Sequence, residues 1–405
     1  MLTVNKGTVI IGAGAAGSLA ALFAARAGQS VLFLDGEEEP GRKILISGGG
    51  RCNVLPATVA DAAFHTSGSQ PLLRRLLSAW PLEEVQAFFE RDLRLPLRRE
   101  KDKLFPKSQR ARDVRDALVK EAIKAKALLE VSWKVAAVER TGKGFLLTAT
   151  DGRQLTAERL ILAAGGQSVP TTGSDGSGFA LARSLGHELT PLYPALVPLL
   201  TDDEDLRALA GLSLPVRWTA RAPARDGDPG RVLGTGEREL LFTHRGFSGP
   251  AIMDASHFVT RDKASLHICW TERSAEDWGA ALADPGSRTV HRLLRKHLPA
   301  RLATTLAHRV GLEETDRLAE LPRATRQDLV QALANFTLPI SGHRGFAHAE
   351  VTGGGVPLAE LHSKTLESRR VPGLHICGEL LDAQGPIGGH NFLLAWISGR
   401  LAGQA

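Results

Sequence analysis

A chain of 405 residues, 43% hydrophobic and 23% charged, is long enough for two or three domains with a sizeable core. Its composition is that of an ordinary globular protein, and no apolar run approaches the roughly 20 residues of a membrane span, which excludes a helical membrane protein. The formal net charge is a moderate +6, and Cys52, Cys269 and Cys377 are odd in number and far apart, which excludes a disulfide framework and a zinc-ligand spacing and suggests a reducing, cytoplasmic setting.

The first element is a strand, Thr8-Val-Ile-Ile, running into Gly12, Gly14 and Gly17 at G-x-G-x-x-G spacing and then an Ala-rich helix to Arg26. Lys6 before an apolar stretch superficially resembles a signal peptide, but the glycine fingerprint explains that stretch as the start of a mature chain. Gly12 permits the tight turn, Gly14 has no Cβ to hold a pyrophosphate away, and Gly17 lets the helix pack on the sheet. The helix points free N–H groups and a positive dipole end at the phosphates. A second strand, Ser30-Val-Leu-Phe-Leu, ends in Asp35, eighteen residues after Gly17, at about the spacing of a carboxylate for a ribose hydroxyl. Strand, helix, strand and acid together predict a dinucleotide site.

Next comes Gly41-Arg42-Lys43-Ile-Leu-Ile-Ser47-Gly48-Gly49-Gly50-Arg51-Cys52-Asn53. Its run of small residues cannot be a helix or strand interior, and exposed N–H groups between basic residues suit an anion or the edge of a planar ring. Residues 69–90 show helical spacing broken at Pro81. From Arg91 to Arg115 ten basic residues face four acids, an excess equal to the formal charge of the whole chain. This patch reads either as a solvated loop and helix start or as a surface for a polyanion such as RNA. A helix follows over 111–126, then strands over 131–138 and 144–149, and a buried strand Leu160–Ala164 ending in Gly165-Gly166.

From Pro191 the pattern changes. Prolines punctuate short β-like runs, Arg221–Gly236 reads as a long hairpin loop, and 288–335 is mostly helical. The reading is a first part of the dinucleotide domain over 1–190 and an inserted domain over 191–345. Within the insertion, 191–272 and 336–345 are β-barrel-like and 273–335 helical. Residues 346–405 complete the first domain, where a strand ends in Gly378-Glu379 and Gly388-Gly389 precedes an apolar helix. One dinucleotide held from both chain ends points to the long molecule FAD. No second G-x-G-x-x-G lies on a strand–helix unit, so NAD(P)H, the expected electron donor, has no dedicated domain.

These segments resemble the HI0933-like flavoproteins of the two-dinucleotide-binding-domain superfamily. The resemblance rests on Gly12–Gly17, Gly41–Asn53, Phe105–Ser108, Ala163–Gly166, Pro194–Val197 with Pro198, Leu241–Pro250, Val351–Val356, Lys364–Ser368 with Val371–Gly373, and Gly378–Asn391. It implies an α/β fold: a Rossmann-like FAD domain from both chain ends with an inserted β-barrel-like and helical domain. The pyrophosphate would lie on Gly12, Gly14, Ala15, Ala16 and Gly17, and the adenosine ribose on Asp35. Arg42, Lys43 and the turn with Ser47, Gly49, Arg51, Cys52 and Asn53 would run along the cofactor. Val135 would frame the adenine, Ala164 and Gly165 the phosphate side, and Gly378, Glu379, Gly389, Asn391 and Phe392 the ribityl and ring end. The chain departs from the family's usual pattern at Asp382–Gly385 and at Gly389–Leu393, where the flavin ring is expected.

Three residues are candidates for proton chemistry. Cys52 beside Arg51 reads as an activated thiol or as a small packing residue. His390 at a helix start reads as a proton shuttle or a backbone-bonding group, and His244 with Ser248 as a substrate-facing group or a turn stabiliser. The expected activity is FAD-dependent hydride transfer from NAD(P)H to an organic small molecule. The resemblance also implies, as an alternative, reduction of uridine to dihydrouridine in ribosomal RNA, and a non-catalytic FAD-binding sensor is the competitor from another class.

Overall fold

The computed structural model describes residues 5–224, 230–283 and 288–405. The chain divides into two compact units, 1–194 with 350–405, and 195–349. Residues 225–229 of the expected hairpin loop and residues 284–287 of the expected helical part lie outside the described residues.

The first unit is organised by β1 (Asn5–Ile11), α1 (Ala15–Arg26) and β2 (Val31–Leu34). The segment Arg42–Gly50 carries α2, and a small antiparallel sheet follows from β3 (Leu55–Pro56), β4 (Leu97–Glu100) and β5 (Lys103–Pro106). After α3 (Ala111–Lys124) come β6 (Leu128–Glu130), β7 (Val135–Thr141), β8 (Gly144–Ala149) and β9 (Gln154–Leu162). Beyond the second unit the chain adds β10 (Val351–Gly355), β11 (Leu374–Ile376) and α4 (His390–Gln404). The main sheet runs β6-β2-β1-β9-β8-β7, with β11 also on β9. Its β1, β2, β6, β9 and β11 pairings are parallel, and the β7-β8-β9 meander is antiparallel.

Register decides where the site falls. Ile11 pairs with both Leu34 and Leu162, and Leu162 with Ile376. Four strands therefore end level, and Gly12, Asp35, Ala163 and Cys377 leave the sheet at one carboxyl edge, where α/β sheets bind ligands. All four β2 residues are buried, as expected of a strand covered on both faces. Helices from the two chain ends pack closely: a Cβ on Gly399 would lie 2.3 Å from the Ala16 carbonyl oxygen, and one on Gly403 2.4 Å from that of Ala20. Only small residues allow that approach.

Three local expectations are corrected. Residues 131–134 are not strand: the expected strand over 131–138 begins only at Val135, as β7, and the short edge strand β6 precedes it at 128–130. The basic segment is not merely loop and helix start, because residues 97–106 form the β4–β5 hairpin. Strand pairing in the second unit resumes at Val232, well inside the expected loop. Gly234 and Gly236 there serve packing, since a Cβ would lie 2.5 Å from Phe258 and 2.6 Å from Trp218.

The second unit is a seven-stranded antiparallel sheet in the order 336–337, 265–269, 213–221, 232–243, 246–248, 199–200, 342–343. It is an open path rather than a closed barrel, its outer strands being only two residues long. Among the described residues, helix Gly249–Asp262 and four α-helices between 275 and 334 share with it a core that includes Phe242, Phe247, Trp270 and Trp278. Among the described residues no helix is long and apolar enough to cross a membrane.

Candidate functional site

At the carboxyl edge of the first unit's sheet lies a cavity of about 400 Å³, within the usual range for a ligand site. Gly12 turns the chain out of β1 with φ 101°, and Gly17 is required by the protein itself, because its Cβ would sit 1.8 Å from the Gly12 carbonyl oxygen. Gly14, the N-cap of α1, is different. No side chain caps this helix, and a Cβ on Gly14 would meet nothing within 4 Å while pointing at the cavity it lines. The helix start is left bare for an anion.

Asp35 lines the same cavity from the end of β2. Its carboxylate accepts from the amides of Ala13 and Glu37, both at 3.0 Å. Burial nonetheless pushes its carboxyl above the ordinary value, against those bonds. Val135 lies nearby, and the Lys134 ammonium reaches Asp175 at 2.6 Å. Asp175 is thereby held down at about 2, despite its partial burial.

The segment after Gly41 starts as helix and then breaks. Ser47 is extended, and Gly48, Gly49 and Gly50 have φ of 56°, 67° and 82°. Successive left-handed residues turn their N–H groups to one side, an arrangement that suits anions. A Cβ on Gly49 would meet nothing within 4 Å, and Asn53 Oδ1 is buried with no partner. Open space at Gly14 and Gly49, a bare helix start and an unsatisfied amide oxygen in one cavity fit a long, phosphate-bearing cofactor.

The far chain end supplies the opposite wall. The Glu379 carboxylate accepts from Lys43 Nζ at 2.5 Å, Ser168 Oγ at 2.6 Å and the Thr352 amide at 2.7 Å, and Lys43 also donates to Ser168. Burial would raise the Glu379 carboxyl, but Lys43 and these donors hold it below its ordinary value, so it is ionised. Gly166 must be glycine, since a Cβ would lie 2.5 Å from both Glu379 Oε1 and Thr352 Oγ1. In the first turn of α4, Asn391 clamps the loop before it, accepting from the Gly385 amide and donating to the Gly385 oxygen, each at 2.9 Å.

Of the residues singled out from sequence, the cavity is lined by Gly12, Gly14, Ala15, Ala16 and Asp35, by Arg42, Lys43, Ser47, Gly49 and Asn53, and by Val135, Ala164 and Gly165. Gly378, Glu379, Gly389, Asn391 and Phe392 complete the set. Gly17, Arg51 and Cys52 do not line it. Arg51 turns to Glu100 and Gln109, both at 3.1 Å, and lies over the Phe105 ring. Cys52 is fully buried, and burial pushes its thiol up to about 12, so it is neither an exposed nor an ionised nucleophile. Its φ of 64° and its amide bond to the Ser47 carbonyl make it part of the turn's framework. His390 is also buried, edge-on to Phe64 at 5.6 Å, and does not line the cavity although its neighbours do. His244 is exposed in the second unit, its carbonyl accepting from Arg207 at 3.0 Å.

Sequence reasoning missed Ser168, Thr352 and the Lys134–Asp175 pair. The Val351–Val356 run of Thr and glycines was the one available signal for Thr352.

The sequence profile described as HI0933-like protein Rossmann domain matches residues 6–405. The chain is 33% identical over 409 residues to a 3-dehydro-bile acid delta(4,6)-reductase from Clostridium scindens, covering 98% of each protein. It is also 33% identical over 402 residues to a ribosomal RNA dihydrouridine synthase from Escherichia coli, covering 96% of this chain and 95% of that one. A flavocytochrome c3 fumarate reductase is similar in structure at a TM-score of 0.49 and 15% identity, covering 99% of this chain and 78% of that one.

Proposed function

From the premise that the chain belongs to the HI0933-like family and is an FAD-dependent oxidoreductase, we propose that it saturates a carbon–carbon double bond conjugated to a carbonyl, with NAD(P)H as electron donor. Both relatives' names describe that chemistry: a 3-oxo-4,6-diene in one, and the uracil C5–C6 bond beside the C4 carbonyl in the other. One nicotinamide C–H bond breaks, the hydride ends on the carbon β to the carbonyl, and a proton adds at the α carbon.

FAD, when bound, supplies the carrier between the two hydride transfers. The residues' parts follow from their placement. Gly12 to Ala16 hold the pyrophosphate at the bare helix start, and Asp35 receives the ribose. The Ser47–Gly49 turn and Asn53 contact the polar edge of the cofactor. Lys43 and Glu379 tie the two chain ends together in the cavity wall, and Gly389, Asn391 and Phe392 would hold the ring end. The donor shares this cavity, and the setting is cytoplasmic. The observation that carries the reading is a single cavity lined from both chain ends with room left beside Gly14 and Gly49. RNA is the second substrate reading, favoured by the exposed cations of residues 91–107.

The test is anaerobic. The flavin absorbance of the purified protein should bleach with NADH or NADPH and return on adding a conjugated enone. A colourless protein that refuses FAD sinks the reading. Failure of both nucleotides to bleach the flavin would instead leave a sensor.

A further inference from the structure

Arg42 and Lys43 are neighbours at the start of α2, yet they turn to different groups. Arg42 pairs with Glu37, whose amide also holds Asp35. Lys134, another cation lining the cavity, pairs with Asp175 and packs on Gly36, where a Cβ would meet Lys134 Cβ at 3.3 Å. Both of those pairs therefore belong to the Asp35 end. Lys43 instead reaches Glu379, just beyond the end of β11, on the part of the wall that the far chain end supplies.

The hydrogen bonds of this pair leave one donor over. An ammonium has three N–H groups. Lys43 spends one on Glu379 Oε2 and one on Ser168 Oγ, and among the described residues no other acceptor takes the third. Ser168 is fully buried and does not line the cavity, whereas Lys43 and Glu379 both do. Glu379 is fixed by three bonds to the protein, since Oε1 also accepts from Ser168 Oγ and the Thr352 amide. The Lys43 side chain keeps 27% of its surface exposed, so the unspent donor belongs to a cation that is held in place but not shut in the core.

We propose that Lys43 sets the reduction potential of the bound cofactor: its free N–H and positive charge, held by Glu379 and Ser168, favour the form that has gained electrons. This rests on the FAD-dependent oxidoreductase reading above. Electrons entering a cofactor add negative charge there, and a fixed cation in a low-dielectric cavity stabilises that charge without reorganising. Charge placed beside the ring is a general means by which a protein tunes a flavin. Lys43 and Glu379 carry opposite charges, so neutralising one or the other moves the potential in opposite directions. A pair that merely braced the two chain ends would not produce that reversal.

The test is an anaerobic redox titration of the FAD-loaded protein against a reference dye, with the K43M, K43R and E379Q variants alongside. K43M should disfavour the reduced cofactor about tenfold, a fall of roughly 30 mV for a two-electron couple. E379Q leaves the cation uncompensated and should favour the reduced cofactor by a similar factor, a rise of roughly 30 mV. K43R keeps the charge and should stay within about twofold of wild type, or roughly 9 mV. Shifts of the same sign in K43M and E379Q overturn the assignment, as does a K43R shift equal to that of K43M. So do single variants that all stay within about twofold of wild type. If K43M does not retain FAD, the other two decide: a rise in E379Q alone supports the assignment, and no rise, or an equal one in K43R, overturns it. A wild-type protein that refuses FAD sinks the cofactor reading together with this inference, whereas yellow variants with the wrong shifts sink the inference alone.

Discussion

The glycine-rich turns at the two ends of the chain line one cavity but spend their glycines differently. In the turn from Gly12 to Gly17, Gly14 faces open space and no side chain caps the helix. In the turn from Gly385 to Asn391, the missing side chains are required by the protein itself: by Phe64 and His390 at Gly385, by the Leu55 backbone at Gly389, and by a φ of 111° at Gly388. Asn391 then locks that loop to its own backbone. The first turn is a receptor whose free N–H groups await an anion, and the second is a wall shaped by what stands behind it. Glycine in a turn therefore signals a ligand only where a Cβ would meet no protein atom.

The sharpest way to break this comparison lies inside the first turn. Gly17→Ala should destabilise the first unit by about 3 kcal/mol or more, because its methyl overlaps the Gly12 carbonyl. Gly14→Ala should leave the melting temperature of the FAD-free protein within about 2 °C and weaken FAD binding about tenfold or more. Equal losses of stability from both would show that Gly14 is also structural.

Next in size is the pair that joins the two ends. Glu379→Gln should cost about 2–3 kcal/mol, because it leaves the Lys43 ammonium uncompensated in a partly buried site. The folded-state pKa of Glu379 lies below its ordinary value, so its contribution is present above the ordinary carboxylate range and is lost as pH falls through that lowered value. Denaturant midpoints of wild type and variant should therefore differ at neutral pH and converge in acid. A gap that persists unchanged in acid contradicts an ionised Glu379.

In the second turn, Asn391→Ala should cost about 1–2 kcal/mol for two lost hydrogen bonds. It should raise amide hydrogen exchange across 385–389 more than across 12–17; the reverse ranking would deny that Asn391 is the lock. The smallest effect is expected at the half-exposed Lys134–Asp175 pair. Lys134→Ala should change stability by less than about 1 kcal/mol, and a larger loss would show that the pair carries more of the first turn's surroundings than its exposure allows.

Much of the site was legible because turns obey local rules. The strand–glycine–helix pattern, the acid at the end of β2 and the break at Ser47–Gly50 depend on neighbours within a few residues, and sequence reports those directly. The roles of individual polar groups were not. Cys52 sits beside an arginine in sequence, yet Arg51 turns outward to Glu100 and the thiol is shut in the core. The basic segment reads as one patch, yet Arg115 is interior while Lys101 is exposed.

By itself, then, the amino-acid sequence determined the α/β nucleotide-binding class and the edge at which a ligand must lie, since strand runs and glycine spacing are short-range. Only the tertiary structure decided that Lys43 meets Glu379 across 336 residues of chain, that Cys52 stays protonated and that Lys103 stands against the cavity wall. Desolvation and ion pairing depend on which distant surfaces come together, and no local pattern encodes that.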